Sequence, residues 1–293
     1  MSYSFAYYPG CSGLGTSREY DSSTRAVCAA LGLDLVDIPD WSCCGSSPAH
    51  TLDHSLSAAL AARNLELVEQ MGLDTTLTPC PSCLTNLKTS AHRMKRKDFR
   101  RKVNGLLDRP YQGSVKSMSV LQAMVEQVGV EKISASVRQP LNGLRLAPYY
   151  GCIMNRPSDI MEFDDPENPT AMDQILTALG ADVVPFPLKT ECCGASYGVP
   201  RKDIVTRLSG KLLTCARDAG AEAVVVACPM CQMNLDLRQD QLSKAAGINF
   251  RMPVMYFTQV MGFAMQLAEK ELGLDKLCVN PRFILSRVLE AAS

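Results

Sequence analysis

Short apolar bursts alternate along this chain with longer stretches of helical period, and the order repeats. SFAYY comes first, followed by the helical stretch STRAVCAALG, closed by glycine, and then the strand-like run LDLVDI. LSAALAARNLELVEQMG reads as a longer amphipathic helix, and TTLTP is a third strand-like run leading into another helix. From LRLAPYY the sequence begins again: MDQILTALGA, DVVPFPL, IVTRLSGKLLTCARDAG and AVVVA stand in the same order. Strand, helix, strand, helix, strand predicts a parallel sheet with helices on its faces. The expected fold is α/β: an internal duplication of two Rossmann-like halves, each ending in extra helical material (SVLQAMVEQVGVEKI and PVMYFTQVMGFAMQLAEKELG). The boundary is expected in RQPLNGL, whose proline, asparagine and glycine break both periods, giving domains 1–140 and 141–293.

Composition narrows the class without naming an activity. The 293 residues are 46% hydrophobic and 20% charged, as in an ordinary folded domain. Lysine plus arginine balances aspartate plus glutamate at 30 each, which gives no support for nucleic acid or membrane binding as the main activity. The start, MSYSFAYYPGCSG, lacks the basic and apolar regions of a signal peptide. The run PVMYFTQVMGFAMQLA falls short of the roughly 20 apolar residues of a spanning helix. We expect a cytoplasmic protein with no transmembrane segment.

The thirteen cysteines change the picture. In a cytoplasmic chain they stay reduced, which leaves metal ligation or redox chemistry. Cys28, Cys215 and Cys278 read as lone structural thiols of the core. The other ten form two sets: Cys11, Cys43, Cys44, Cys80, Cys83 and Cys152, Cys192, Cys193, Cys228, Cys231. From lone cysteine to adjacent pair the intervening residues number 31 and 39; from pair to CPxC they number 35 and 34. Flanks repeat as well: AYYPGC with PYYGC, CCGSS with CCGAS, and NL after each CPxC. In the expected fold every one of these cysteines lies beyond the carboxyl end of a strand, where open α/β sheets place ligands. A CPxC opening a helix is also the pattern of a thioredoxin-like dithiol. Zinc is satisfied by four ligands, and its other common partner, histidine, occurs only at 50, 54 and 92. Neither alternative uses five thiols twice, whereas soft thiolates in this number suit iron–sulfur clusters. The glycines after the pairs, Gly45 and Gly194, let backbone amides approach sulfide.

The duplicated pattern, with the stretch RPSDIMEFDDPENPTAMDQIL after the second lone cysteine, resembles the B-type subunit of heterodisulfide reductase over almost the whole chain. The resemblance implies two noncubane 4Fe–4S clusters, one held by Cys11, Cys43, Cys44, Cys80 and Cys83, the other by Cys152, Cys192, Cys193, Cys228 and Cys231. It implies reductive cleavage (or formation) of a disulfide between them, with Cys43, Cys44, Cys192 and Cys193 at the substrate site. It also implies a ferredoxin-like C-type subunit and a flavin-bearing A-type subunit as partners. CCGSS with CPSC is more similar to bacterial members, so a small-molecule or protein-borne disulfide is the expected substrate. The same module serves quinone-linked and organic-acid oxidoreductases as an electron-transfer unit, and that is the alternative function.

No ferredoxin-type run C-x2-C-x2-C-x3-C occurs, so relay electrons must come from another chain. In GCSGLGTSRE, Arg18 occupies the place of the last glycine of a dinucleotide fingerprint, and the loop reads as cluster-adjacent. The basic run HRMKRKDFRRK reads as a solvated helix face, with docking to an acidic partner as the sharper possibility, and the acidic SDIMEFDDPENP reads as a loop. His50 is a candidate proton donor to a departing thiolate, and Lys189 a candidate to steer an anionic substrate.

Overall fold

A computed structural model describes residues 3–46 and 48–291. The first half forms a four-stranded parallel sheet of β1 (Tyr3–Tyr7), β2 (Leu33–Asp37), β3 (Thr75–Thr78) and β4 (Lys116–Ser119), ordered β2-β1-β3-β4. The second sheet has β5 (Arg145–Tyr149), β6 (Asp182–Val183), β7 (Ala223–Val226) and β8 (Val254–Tyr256), in the equivalent order β6-β5-β7-β8. The expected duplicated α/β fold is therefore observed, with a fourth strand in each half where helix alone was expected. VKSMS and PVMY are short strands ahead of helical stretches that begin at Val120 and Phe257. The Ser119 hydroxyl caps its helix by accepting from the Gln122 amide, which separates the strand from the helical run that masked it. DVVPFPL gives only two strand residues, because Pro185 and Pro187 have no N–H to donate to a ladder.

Helices α1 (Arg18–Ala30), α2 (His54–Gln70) and α3 (Pro81–Arg93) belong to the first half, and α4 (Ala171–Ala178), α5 (Lys202–Asp218) and α6 (Pro229–Asp236) repeat them. Helix α7 (Phe257–Ala264) follows β8. Alternation along β1 sends Phe5 and Tyr7 into one core and Ala6 and Tyr8 into another. The core that takes Phe5 and Tyr7 continues without a break through β5, β7 and α7, so the halves share apolar packing. The exchange is reciprocal: α7 and helix Glu269–Leu272 pack on α1, while helix Val130–Ala135 packs on α4. Tyr20 stacks on Tyr256 across this seam, with centroids 4.0 Å apart and planes 4° from parallel. Such a buried pair contributes about 1 kcal/mol beyond its area.

The basic run ends α3 and forms helix Lys97–Asn104, with Val103 buried and most of its charges exposed. The apolar run 253–268 is divided between β8 and α7, and no helix among the described residues is long and apolar enough to cross a membrane.

Candidate functional site

In each half the strand order reverses direction between the first two connections, and the chain ends facing that crevice carry the cysteines. Cys11 lies on the short helix Gly10–Leu14 after β1, and Cys43 and Cys44 lie on the loop after β2. Cys80 is the N-cap of α3, with Pro81 at the first helical position and Cys83 in the first turn. Cys152 follows β5, Cys192 and Cys193 lie beyond β6, and Cys228 caps α6 as Cys80 caps α3. All ten gather as two separate five-thiol groups.

Contacts among the sulfurs repeat. Cys44 Sγ lies 3.5 Å from Cys83 Sγ, and Cys193 Sγ lies 3.6 Å from Cys231 Sγ. Cys83 also hydrogen-bonds Cys80, and Cys231 hydrogen-bonds Cys228. Exposure repeats too: Cys44, Cys80 and Cys83 are buried with Cys193, Cys228 and Cys231, whereas Cys11 and Cys43 are exposed and Cys152 and Cys192 partly so. Each site has a closed inner side of three thiols and an open outer side of two.

Glycines shape the space. At Gly10 (φ +69°) an added Cβ would stand 3.0 Å from Cys83 Sγ, and at Gly151 (φ +75°) 3.1 Å from Cys231 Sγ. Gly45 (φ +79°) and Gly194 (φ +99°) turn the chain in the left-handed region and let α2 and α5 approach; a Cβ on Gly194 would stand 2.8 Å from Val205 Cγ2. The amides after the second pair also point at sulfur, Gly194 N to Cys192 Sγ at 3.3 Å and Ala195 N to Cys193 Sγ at 3.4 Å.

These contacts set the acidities. As a thiolate Cys44 can accept from the Cys83 thiol, which brings it down to about 7, and Cys193 is lowered to about 7 by Cys231 in the same way. Cys152 donates to Cys192, which falls to about 6. The donors move the other way: Cys83, Cys231 and Cys152 are all raised, first by those hydrogen bonds and then by burial. Five thiols this close cannot all ionise unless a cationic centre compensates them. Among the described residues no three His, Cys, Asp or Glu groups surround a point as ligands of a single ion would. The donor set, five sulfurs where zinc takes four ligands, fits a multinuclear thiophilic centre such as an iron–sulfur cluster better than a zinc ion.

Behind the thiols lies a layer that residue-type reasoning missed, although its members sit in the repeated flanks. Tyr8 donates its hydroxyl to the Ser42 carbonyl at 2.7 Å, and Tyr149 donates to Glu191 O at 2.7 Å; each acceptor immediately precedes a cysteine pair. Asn86 Nδ2 donates to Cys44 O, and Asn234 Nδ2 to Ala195 O at 3.0 Å and Cys193 Sγ at 3.5 Å. The YY and NL repeats are the visible signal of these struts.

His50 is exposed, its ring edge-on to His54 at 5.0 Å, and its backbone N–H donates to Gly45 O. Lys189 is buried: its Nζ donates to Pro169 O at 2.7 Å and pairs with Asp173 at 2.8 Å. Two of the ammonium's three N–H groups are thus committed inside the protein, where its charge is already met by Asp173. Tyr150 completes this group by donating to the same carboxylate at 2.6 Å. Of the three expected core thiols only Cys28 is fully buried; Cys215 is half-buried, and Cys278 is exposed beside the carboxylate of Asp236. Cys278 stands between buried Leu277 and partly buried Val279 in sequence, yet its own side chain turns outward.

A duplicated parallel α/β protein with five thiols at the strand ends of each half belongs to a recognisable class. The sequence profile of the CCG cysteine-rich domain matches residues 5–88 and 146–236, and the chain belongs to this family, among whose members is the B-type subunit of heterodisulfide reductase. Membership defines an iron–sulfur electron-transfer protein. The chain is 35% identical over 278 residues to the 8-methylmenaquinol:fumarate reductase membrane anchor subunit of Wolinella succinogenes, covering 94% of this chain and 96% of that one. It is 32% identical over 299 residues to an Archaeoglobus profundus protein that is itself like the B-type subunit of heterodisulfide reductase, covering 98% of each. The B-type subunit of a ferredoxin/F(420)H(2)-dependent CoB-CoM heterodisulfide reductase from Methanosarcina acetivorans is 29% identical over 93% of both chains. Among solved structures, a hypothetical protein from Helicobacter pylori superposes with a TM-score of 0.74 at 13% identity, over 94% of this chain and 52% of that one. This chain thus spans about half of the Helicobacter protein, and the likeness shows the fold alone.

Proposed function

We propose that this protein is the iron–sulfur subunit of a heterodisulfide reductase-like complex, an oxidoreductase acting on a sulfur group. Cys11, Cys43, Cys44, Cys80 and Cys83 would hold one noncubane 4Fe–4S cluster, and Cys152, Cys192, Cys193, Cys228 and Cys231 the other, in repeats divided at residue 140. The observation that carries this reading is the twofold recurrence of three buried and two accessible thiols at matching strand ends. When bound, such clusters supply one-electron redox chemistry and iron sites able to take up a thiolate. The chain's own contribution is geometric. Its inner cysteines exclude water, its outer cysteines leave an approachable edge, and Tyr8 and Tyr149 fix the loops bearing the pairs. His50, exposed beside the first pair, would supply a proton to a departing thiolate. Lys189 would fix the loop ahead of the second pair rather than steer substrate. In the cytoplasm a ferredoxin-like C-type subunit would deliver electrons, with a flavin-bearing A-type subunit beyond it, and the substrate would be a small-molecule or protein-borne disulfide.

The Wolinella relative favours a second reading, an electron-transfer module of a quinone-linked or organic-acid oxidoreductase. Iron and acid-labile sulfide on anaerobically purified protein, with EPR of partly oxidised samples with and without thiol, separates these readings. About eight irons per chain and a thiol-sensitive signal are expected from two four-iron clusters open to sulfur. Eight irons with no response to thiol would overturn disulfide chemistry in favour of electron transfer, and zinc in place of iron would overturn both.

A further inference from the structure

Two junctions join the five-cysteine sites to each other. Helix α3 starts at Cys80 and carries Cys83 in its first turn; further along, it sends two side chains to the segment after Cys152. The Thr85 hydroxyl is shared between Pro81 O at 2.8 Å and Ile153 O at 3.3 Å, and Lys88 Nζ donates to Met161 O. Ile153 is the residue after Cys152. The second junction is Tyr20, buried on α1, whose hydroxyl donates to Ala227 O at 3.3 Å. Ala227 is the residue before Cys228. Tyr20 is held there by its stack on Tyr256, and one turn later Ser23 Oγ meets Thr258 Oγ1 at 2.7 Å in the buried seam.

The cysteine pairs are served differently. The loop of Cys43 and Cys44 is fixed by Tyr8, Asn64 and Asn86, all of the first half; that of Cys192 and Cys193 is fixed by Tyr149, Ser209 and Asn234, all of the second. The pair loops are therefore private to their halves. The lone-cysteine and CPxC segments of the second site are instead tied to the two helices α1 and α3 of the first half.

We infer that Tyr20, Thr85 and Lys88 are positioning residues that make filling of one five-cysteine site favour filling of the other. This rests on the reading that both sites hold clusters. Filling a site orders its ligand segments, and that ordering costs conformational entropy. When the first site is filled, α3 is anchored at Cys80 and Cys83, so Thr85 and Lys88 present a fixed cradle to the segment 153–161. Likewise α1, packed on the Cys11 helix, presents Tyr20 to the turn at Cys228. The second site then pays less to order, and linkage makes the advantage reciprocal. A coupling of about 5- to 150-fold is the usual range for such networks.

The test is anaerobic reconstitution of the full chain with ferrous iron and sulfide at half of saturation, read by native mass spectrometry. Independent sites would leave about half the chains singly loaded, whereas a coupling of about tenfold or more makes empty and doubly loaded chains dominate. The double variant Tyr20→Phe, Lys88→Met keeps all ten cysteines and the aromatic stack; its total capacity should match the wild type while singly loaded chains rise toward the statistical share. Thr85→Val is a milder variant in case the double one folds poorly, and the wild-type distribution is informative by itself. A statistical distribution in the wild type overturns the coupling. Undiminished coupling in both variants overturns its assignment to these residues. Chains that take up no iron overturn the cluster reading itself, an outcome distinct from the other two.

Discussion

The two cysteine sites have the same strand order, the same inner and outer thiols and the same tyrosine struts, yet they are braced by different chemistry. Ahead of the first pair a neutral side chain holds the residue next to the cysteines: Asn64 accepts from Ser42 N at 2.8 Å and donates to Ser42 O at 2.9 Å, while two residues before Ser42 Arg63 donates to Asp40 O at 2.7 Å and pairs with its exposed carboxylate. The equivalent position in the second half, also sixteen residues before the CPxC (80 − 64 = 228 − 212), is the apolar Leu212. There the loop is held by a buried charge, through Lys189 and Asp173, and by Arg156, which reaches Thr190 Oγ1 at 3.1 Å, whereas the Arg63–Asp40 pair of the first loop faces solvent. Each half also has a tyrosine–aspartate–cation group, Tyr7–Asp21–Arg25 and Tyr150–Asp173–Lys189. In the first the cation comes from α1 and stays partly exposed; in the second it comes from the pair loop and is buried. The eight extra residues of the second half (39 − 31) fall in the segment that meets α3. Duplication has kept what places the sulfurs, while the means of bracing them has changed.

The strongest way to break this comparison is at the turn glycines. Gly194→Ala forces a left-handed alanine against Val205, including its Cα at 2.9 Å, and should lose about 3 kcal/mol in urea unfolding. Gly45→Ala meets the movable Leu60 Cδ1 at 3.0 Å and should lose about 2 kcal/mol. Equal losses would mean that the two turns are equally tight. Next, Lys189→Met leaves Asp173 without its cation and should cost about 2 kcal/mol, against about 1 kcal/mol for Arg25→Met, whose side chain is 35% exposed. Thermal melts of the two variants would contradict the buried-versus-exposed contrast of the two cations if Arg25→Met proved the more damaging.

Tyr149→Phe should cost about 1 kcal/mol and release iron from the second site on dilution, because Glu191 O loses its one side-chain donor among the described residues. Tyr8→Phe should lose less, since Asn64 still serves Ser42 O. Iron content after gel filtration reads the difference. The smallest effect concerns acidity in metal-free protein. Cys192, lowered to about 6 chiefly by the Cys152 thiol, should be mostly thiolate above that pH and alkylate readily at about pH 7, slowing as the pH falls below 6. Cys11, raised by burial and by its neighbouring thiols, should react only in more alkaline solution. Peptide mapping after iodoacetamide treatment across pH would show both, and the reverse order would refute the assignment.

How far the sequence could be read depended on whether the signal was local. Strand ends at Tyr7, Thr78, Tyr149 and Val226, helix starts at Pro81 and Pro229, and the turns at Gly45 and Gly194 each arise from neighbouring residues, so their patterns repeat visibly. β4 and β8 were hidden because four- and three-residue strands run directly into helices, and β6 was over-read because prolines pass unnoticed in an apolar run. Lys189 looked like a free cation because Asp173 lies sixteen residues earlier and meets it only after folding.

By itself the sequence determined that there are two halves, that each is a parallel α/β sheet, and which ten cysteines belong to which half. Periodicity and spacing encode these because strand, turn and helix preferences act over a few residues. Only the tertiary structure decided which thiols face inward, what braces each pair, and that Tyr20, Thr85 and Lys88 cross from one site to the other. Those contacts join residues up to 207 positions apart. They exist only where the shared core brings the two halves together, and no local preference records them.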